Sequence, residues 1–329
     1  FNICRMKNFD SICRPFRRFC KKSIDHALEK KHNESLRNNI FNVLMTNYLK
    51  TFHQISNADV ATAGGKGASL GEMTQAKISV PPGFVILANV FDRFLEETDL
   101  DVEIEAALHK VKVKDVNSVD RASNEIHAMI LEAEFPKDLA KEVNAQFAQL
   151  KAPYVAVRSS ATAEDSSVAS WAGELETYLN TTKKTLLENI KKCWASLFTP
   201  RAIVYRYEQK LHTTKVSVAV VIQVMVQSEV SGITFTVHPV TKDYDQMVIE
   251  AGYGLGEAIV GGMVTPDTYV IHKKNWTFID KNISEQRMMI VKSTKGNVEK
   301  TVPKAKQEKQ KLPDGKILTL AKLCGHIEK

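Results

Sequence analysis

The spacing of hydrophobic positions changes character along the chain. Residues 1–44 hold no sustained period of 2 or 3.6, and basic residues there are punctuated by Asn and Ser. Met45 opens the first well-patterned segment, so the functional domain is expected over 45–329, with 1–44 a basic, disordered extension. Pro81, Pro82 and Gly83 predict a rigid turn into a short strand at 84–87. Asn89 is placed to cap the next helix, whose apolar stripe is Phe91, Phe94 and Leu95. Helical spacing continues to about residue 150, with breaks near Asp99 and Pro136, and Pro153 launches a strand over 154–158.

Residues 183–198 carry Leu186, Leu187, Ile190, Cys193, Trp194, Leu197 and Phe198 on one helical stripe, which makes Cys193 and Trp194 core residues. Thr199 and Pro200 end that helix or begin another that runs to about residue 210. The second half reads as strands. In 216–226 the valines and Ile222 alternate with Ser217, Ala219, Val221, Gln223 and Met225, the composition of a strand whose second face meets something small or polar. Further strands are predicted at 232–238, 246–251, 267–273 and 284–292, then a Lys-rich loop. A last helix over 317–329 has Leu320, Ala321, Cys324 and Ile327 on one face and no Gly or Asn cap. These elements predict an α+β fold.

Composition narrows the class. The 329 residues are 43% hydrophobic and 25% charged, which excludes collagenous, low-complexity and wholly disordered chains. No apolar run approaches the roughly 20 residues of a membrane span. Five cysteines, with no Cys-x-x-Cys pair, are not a disulfide scaffold, and the expected location is the reducing cytoplasm. The net charge of +7 concentrates at the ends, in 14–22 and 304–316, and aromatics do not interleave with it as in a nucleic-acid stacking surface. The expected partners therefore include neither nucleic acid nor a membrane.

Three segments carry candidate chemistry. In Ala63-Gly-Gly-Lys-Gly-Ala-Ser-Leu-Gly-Glu-Met73 the glycines let backbone N–H groups approach a ligand, Lys66 adds a point charge, and a helix starting near Ala68 would point its positive end the same way. The segment is not a Walker A loop, and a structural glycine turn accounts for it equally well. It also contains Gly67-Ala-Ser69-Leu-Gly71, a formal nucleophile elbow, but no buried strand precedes it. The second segment, 155–173, delivers Arg158 at a strand end, then hydroxyls and Glu164-Asp165, in a stretch read as too small and polar for the core. Arg158 suits phosphate because guanidinium grips two oxygens, while a surface Ser/Thr loop with an ordinary ion pair explains the same residues. The third, Glu250-Ala-Gly-Tyr-Gly-Leu-Gly-Glu257, comes near a dinucleotide fingerprint but has Glu257 where the third glycine belongs. Glu250 and Glu257 read most simply as turn residues. The histidines are scattered and offer no metal-ligand spacing.

Taken in order, these segments resemble one family. Gly64-Gly-Lys-Gly-Ala-Ser-Leu-Gly-Glu-Met73 with Val80-Pro-Pro-Gly-Phe84 resembles the opening of phosphoenolpyruvate synthases (pyruvate, water dikinases). Val157-Arg-Ser-Ser-Ala-Thr-Ala-Glu-Asp165, Ala172-Gly-Glu-Leu-Glu-Thr-Tyr178, Ser196-Leu-Phe-Thr-Pro-Arg-Ala202, Val221-Ile-Gln-Val-Met-Val226, Gly252-Tyr-Gly-Leu-Gly-Glu257 and Pro266-Asp-Thr-Tyr269 continue the match, while 1–44 resemble nothing in it. The resemblance implies an ATP-grasp-type nucleotide-binding domain using ATP and Mg²⁺. A full enzyme of this kind moves the β-phosphate of ATP to a histidine on a separate swivelling domain and then to pyruvate on a barrel. By motif position, Lys66 and Arg158 would hold phosphates, Gly173 and Thr177 would line the phosphate side, and Gln223 with the backbone near Met225 and Val226 would meet adenine. The family's metal-binding Glu strand and Gln-x-Arg strand come after the position of Lys329, so the domain is expected to be truncated at its C-terminal end, inactive alone and without metal ligands of its own. Rifampicin phosphotransferases and pyruvate phosphate dikinases resemble it too. A non-catalytic nucleotide-binding fragment is the alternative of another class.

Overall fold

Alternation in two strands explains how the helices divide between the faces of the main sheet. The computed structural model describes residues 48–162, 176–209, 217–293 and 296–329, all within one unit, Tyr48–Lys329. Strands β1 (Leu49–Thr51), β2 (Gly83–Ile86), β3 (Val155–Ala161), β4 (Thr177–Thr181) and β5 (Val218–Val224) form an antiparallel sheet in the order β1-β2-β5-β3-β4. Val155, Val157, Ala161, Val218, Val220 and Ile222 point to one face. Helix α1 (Val60–Gln75) packs on the other, against Ala219 and Val221.

The first face is the larger core. It is covered from α2 (Ala88–Glu97), α3 (Leu100–His109), α4 (Val116–Glu132), α5 (Lys137–Gln149) and α6 (Leu186–Ala195), with α7 (Pro200–Glu208) behind α4. Its centre is aromatic: Trp194 lies 4.8 Å from Phe94 and stacks on Phe135 at 5.3 Å, ring centre to ring centre. Cys193 is wholly buried there, and burial pushes its thiol pKa well up, so it behaves as a small hydrophobe. Thr199 accepts a hydrogen bond from the Ala202 amide with Pro200 in the first turn, so this pair starts α7 rather than ending α6.

A second antiparallel sheet, β6 (Val230–Phe235), β7 (Gln246–Tyr253), β8 (Asp267–His272) and β9 (Thr277–Asn282), follows in simple sequence order. Helix α8 (Asp314–Ile327) seals one face through Ile317 and Ala321. Strands β10 (Met288–Ser293) and β11 (Gly296–Thr301) make a separate hairpin. Among the described residues no helix is long and apolar enough to cross a membrane.

Several expectations need correction. Asn89 lies inside α2, and Leu87 holds the cap position without a side-chain bond. Ser159, Ser160 and Ala161 continue β3 and are fully buried, although the segment reads as too polar for core. Ser159 pays no penalty because both its amide and its hydroxyl donate to the Glu176 carbonyl. Glu250 is a strand residue, because β7 runs through it to Tyr253. Strands β1, β4, β9 and β11 are not among the predicted elements. In α8 the buried positions are Ile317, Ala321 and Gly325, while Ile327 is exposed. The expectations for residues 1–44 lie outside the described residues.

Candidate nucleotide site

The glycine segment is a broken helix docked on a strand end. Gly64 interrupts α1 at φ 69°, ψ 168°, a backbone region that is essentially glycine-only. A Cβ there would sit 2.3 Å from Ser160 Oγ and 2.4 Å from the Ser160 carbonyl oxygen, so only glycine allows this approach. The Gly67 amide donates to Ser160 Oγ at 3.3 Å. Helical geometry therefore resumes immediately after Gly64, earlier than the predicted start near Ala68, and Lys66 lies in the first turn beyond the break. The small residues of α1 are what the second face of β5 meets, as its composition predicts.

Arg158 reaches the same face by strand alternation. It is half-buried on β3, two residues before Ser160 on the same side. Its register partners are Val221 on β5 and Thr177 on β4, so Thr177, which is exposed, stands beside it. Gln223, nine-tenths buried, faces this side as well. Its Oε1 accepts from Arg158 Nη1 at 3.4 Å, and its Nε2 donates to the Pro81 carbonyl at 3.2 Å. Gln223 thus steadies the guanidinium, with both ends of its amide engaged.

The chain leaves β5 at a junction. The Val224 amide donates to the Pro82 carbonyl at 2.9 Å and the Met225 amide to the Tyr154 carbonyl at 3.1 Å. Met225 packs on the Leu255, Ala258 and Ile290 cluster, which belongs to the second half of the chain, while the next residue, Val226, is exposed. The backbone at 225–226 therefore bridges the two sheets beside Gln223.

The sequence reading thus finds Lys66, Arg158, Thr177, Gln223, Met225 and Val226 on or beside one face. Gly173 lies outside the described residues. Ser69 sits within α1, exposed and without a preceding strand, so no nucleophile elbow exists. Ser160 is the residue that sequence reasoning missed, and its only signal was continuity with β3. Among the described residues no group of three His, Cys, Asp or Glu side chains converges as a metal cage requires. Among the described residues the side chains do not by themselves form a magnesium site, which one or two carboxylates would complete together with phosphate oxygens. Two ligand-sized cavities lie elsewhere, one of about 480 Å³ lined by Val116, Pro200 and Arg201 and one of about 890 Å³ lined by Tyr253, Lys306 and Lys316. Neither includes a residue of this face, which offers glycine backbone, Lys66, Arg158 and a polar strand face.

Comparisons with known proteins place the chain in a family. Residues 60–329 match the family described as pyruvate phosphate dikinase, AMP/ATP-binding domain. A probable phosphoenolpyruvate synthase of Methanocaldococcus jannaschii is 43% identical over 290 residues, covering 86% of this chain and 24% of that protein. A phosphoenolpyruvate synthase of Pyrococcus furiosus is 35% identical over 327 residues, with 85% and 40% covered. The rifampicin phosphotransferase of Bacillus subtilis is 36% identical over 288 residues, with 86% and 33% covered. The chain spans between about a quarter and two fifths of the length of these relatives. With a family match over residues 60–329, the chain belongs to the pyruvate phosphate dikinase AMP/ATP-binding domain family.

Proposed function

We propose that the chain is the ATP-binding part of a phosphoenolpyruvate synthase, of ATP-grasp type, and that the face bearing Arg158 holds the nucleotide's phosphates. One observation carries the reading: Gly64, which admits no side chain, brings the turn bearing Lys66 against the end of the strand bearing Arg158. Two cations from segments 92 residues apart then meet a polyphosphate, whose transfer depends on positioning and charge neutralisation. Gln223 orients the Arg158 fork, Thr177 lies beside it, and adenine would stack at the 225–226 junction. Gly173 is assigned to the phosphate side by its motif alone. In the whole enzyme the β-phosphate would pass to a histidine on a separate domain and then to pyruvate, giving phosphoenolpyruvate, AMP and phosphate. Phosphate transfer to rifampicin is the second reading, supported by the Bacillus relative.

The experiment is an ATP titration of the 329-residue chain and its variants. Arg158→Ala and Lys66→Ala should each weaken binding about 10- to 100-fold, the worth of a hydrogen bond to a charged group. Arg158→Lys should recover only part of that loss, because an ammonium cannot replace a bidentate fork. Wild-type affinity in both alanine variants would remove the phosphates from this face.

A further inference from the structure

Four side chains outside the phosphate face form a single hydrogen-bonded relay. Gln227, in the connection between β5 and β6, donates Nε2 to Asn180 Oδ1 at 2.7 Å. Asn180 on β4 donates Nδ2 to Asn297 Oδ1 at 2.5 Å, and Asn297 on β11 donates Nδ2 to Glu257 Oε2 at 2.8 Å. Glu257 opens the short helix Glu257–Val260, directly after the glycine turn that ends β7. The sense of the relay is forced from its acid end. An ionised carboxylate only accepts, so Asn297 must turn its NH₂ toward Glu257 and its oxygen toward Asn180. Asn180 must then present its own NH₂ to Asn297 and its oxygen to Gln227.

The backbone is arranged to aim Asn180 this way. It adopts φ +53°, a left-handed conformation that Asn tolerates better than most side chains. The β3–β4 register is irregular at this point, and a strand irregularity redirects the side chain it carries. Thr177, the register partner of Arg158, is on the same short strand. The relay therefore ties the edge strand of the first sheet to the inter-sheet connection, the β10–β11 hairpin and the glycine turn of the second sheet. Nearby, Lys292 of the hairpin lies over the Tyr154 ring.

We propose that Asn180, Asn297 and Glu257 are positioning residues that hold the two sheets at the spacing the nucleotide needs, an inference that rests on the ATP reading above. They touch no phosphate. They fix β4, and with it the Thr177 edge of the phosphate face, against the second half of the chain.

The relay's polarity supplies its test. In Asn297→Asp the new carboxylate still accepts from Asn180 but confronts Glu257 with like charge. ATP affinity should fall about tenfold, the scale of a lost charge-assisted bond. Amide exchange in 288–301 and 177–181 should quicken while the unfolding midpoint of the chain stays near wild type. Adding Glu257→Gln to Asn297→Asp supplies an NH₂ facing the new carboxylate, and both affinity and exchange protection should return. Full rescue by this swap is expected, because the pair is coupled rather than independent. If Asn297→Asp proves unfolded, the double variant and Asn180→Ala carry the same comparison. Unchanged affinity and exchange in Asn297→Asp, or a double variant as impaired as the single, would overturn the proposal. If the wild-type chain binds no ATP while the variants show the exchange changes and their rescue, the nucleotide reading is overturned and the relay stands.

Discussion

Gly64→Ala should cost about 4 kcal/mol of unfolding free energy and abolish measurable ATP binding. Two terms add. A non-glycine residue at φ 69°, ψ 168° costs about 1–3 kcal/mol in backbone strain. The new methyl would also lie 2.3 Å from Ser160 Oγ and 2.4 Å from its carbonyl oxygen. Ser160 is fully buried in the central part of the sheet and cannot move aside without shifting β3, so overpacking adds about 1–3 kcal/mol. Whatever relief the structure finds must part α1 from β3, which moves Lys66 away from the Arg158 face. Gly262→Ala is the internal control. Gly262 has φ +66°, but nothing lies within 4 Å of a Cβ there, so only the backbone cost applies and ATP binding should be retained. Chemical denaturation of both variants measures the difference. Equal losses in the two would mean that the contact with Ser160 does not matter.

Asp267→Ala should destabilise the chain by about 3–5 kcal/mol through a different cause, a stranded buried charge. Asp267 and Lys311 form an ion pair at 2.7 Å with both side chains fully buried. The carboxylate also accepts from the Ser284 amide, the Lys311 amide and the Tyr269 hydroxyl, at 3.0, 2.8 and 2.7 Å. Burial, and then this carboxylate, push the Tyr269 phenol above its ordinary pKa, so it remains a donor at every physiological pH. Removing Asp267 leaves the Lys311 ammonium with the Ser284 carbonyl as its remaining partner within bonding distance. The loop before α8 would detach from β8. Replacing both members, as Asp267→Leu with Lys311→Met, should recover only the part of the loss due to the stranded charge, since the Ser284 and Lys311 amides and the Tyr269 hydroxyl still lose their acceptor. Urea unfolding of the single and double variants decides it. A single variant within about 1 kcal/mol of wild type would show that the pair is not isolated from water.

The sequence announces those features whose physics is local. A helical stripe places Cys193 and Trp194 in the core, and alternation sorts the two faces of β5, including Gln223. Motif order reaches the face bearing Arg158, where the glycine segment and Gln223 also lie. What is not local was hidden. The run of hydroxyls after Arg158 looks like a surface loop until a partner, the Glu176 carbonyl, is known to satisfy Ser159. Gln223 reads as a free polar residue, but its amide is spoken for by Arg158 and Pro81, 65 and 142 positions away. Asp267 belongs to a recognisable motif, but nothing nearby in sequence pairs it with Lys311. Strand β11 was invisible because it is mostly exposed and polar, held by pairing with β10 rather than by an apolar face. Gly252 makes the end of β7 look like a turn, although the strand pairs through it to Ser231.

Photolabelling tests the central claim most directly. The chain would be irradiated with 8-azidoadenosine triphosphate, with and without excess ATP, and labelled residues mapped by mass spectrometry. The account predicts ATP-protected labelling within 223–226, where the backbone crosses between the sheets beside Arg158, and its disappearance in Arg158→Ala. ATP-protected label confined to the cavity lined by Val116, Pro200 and Arg201 would contradict it.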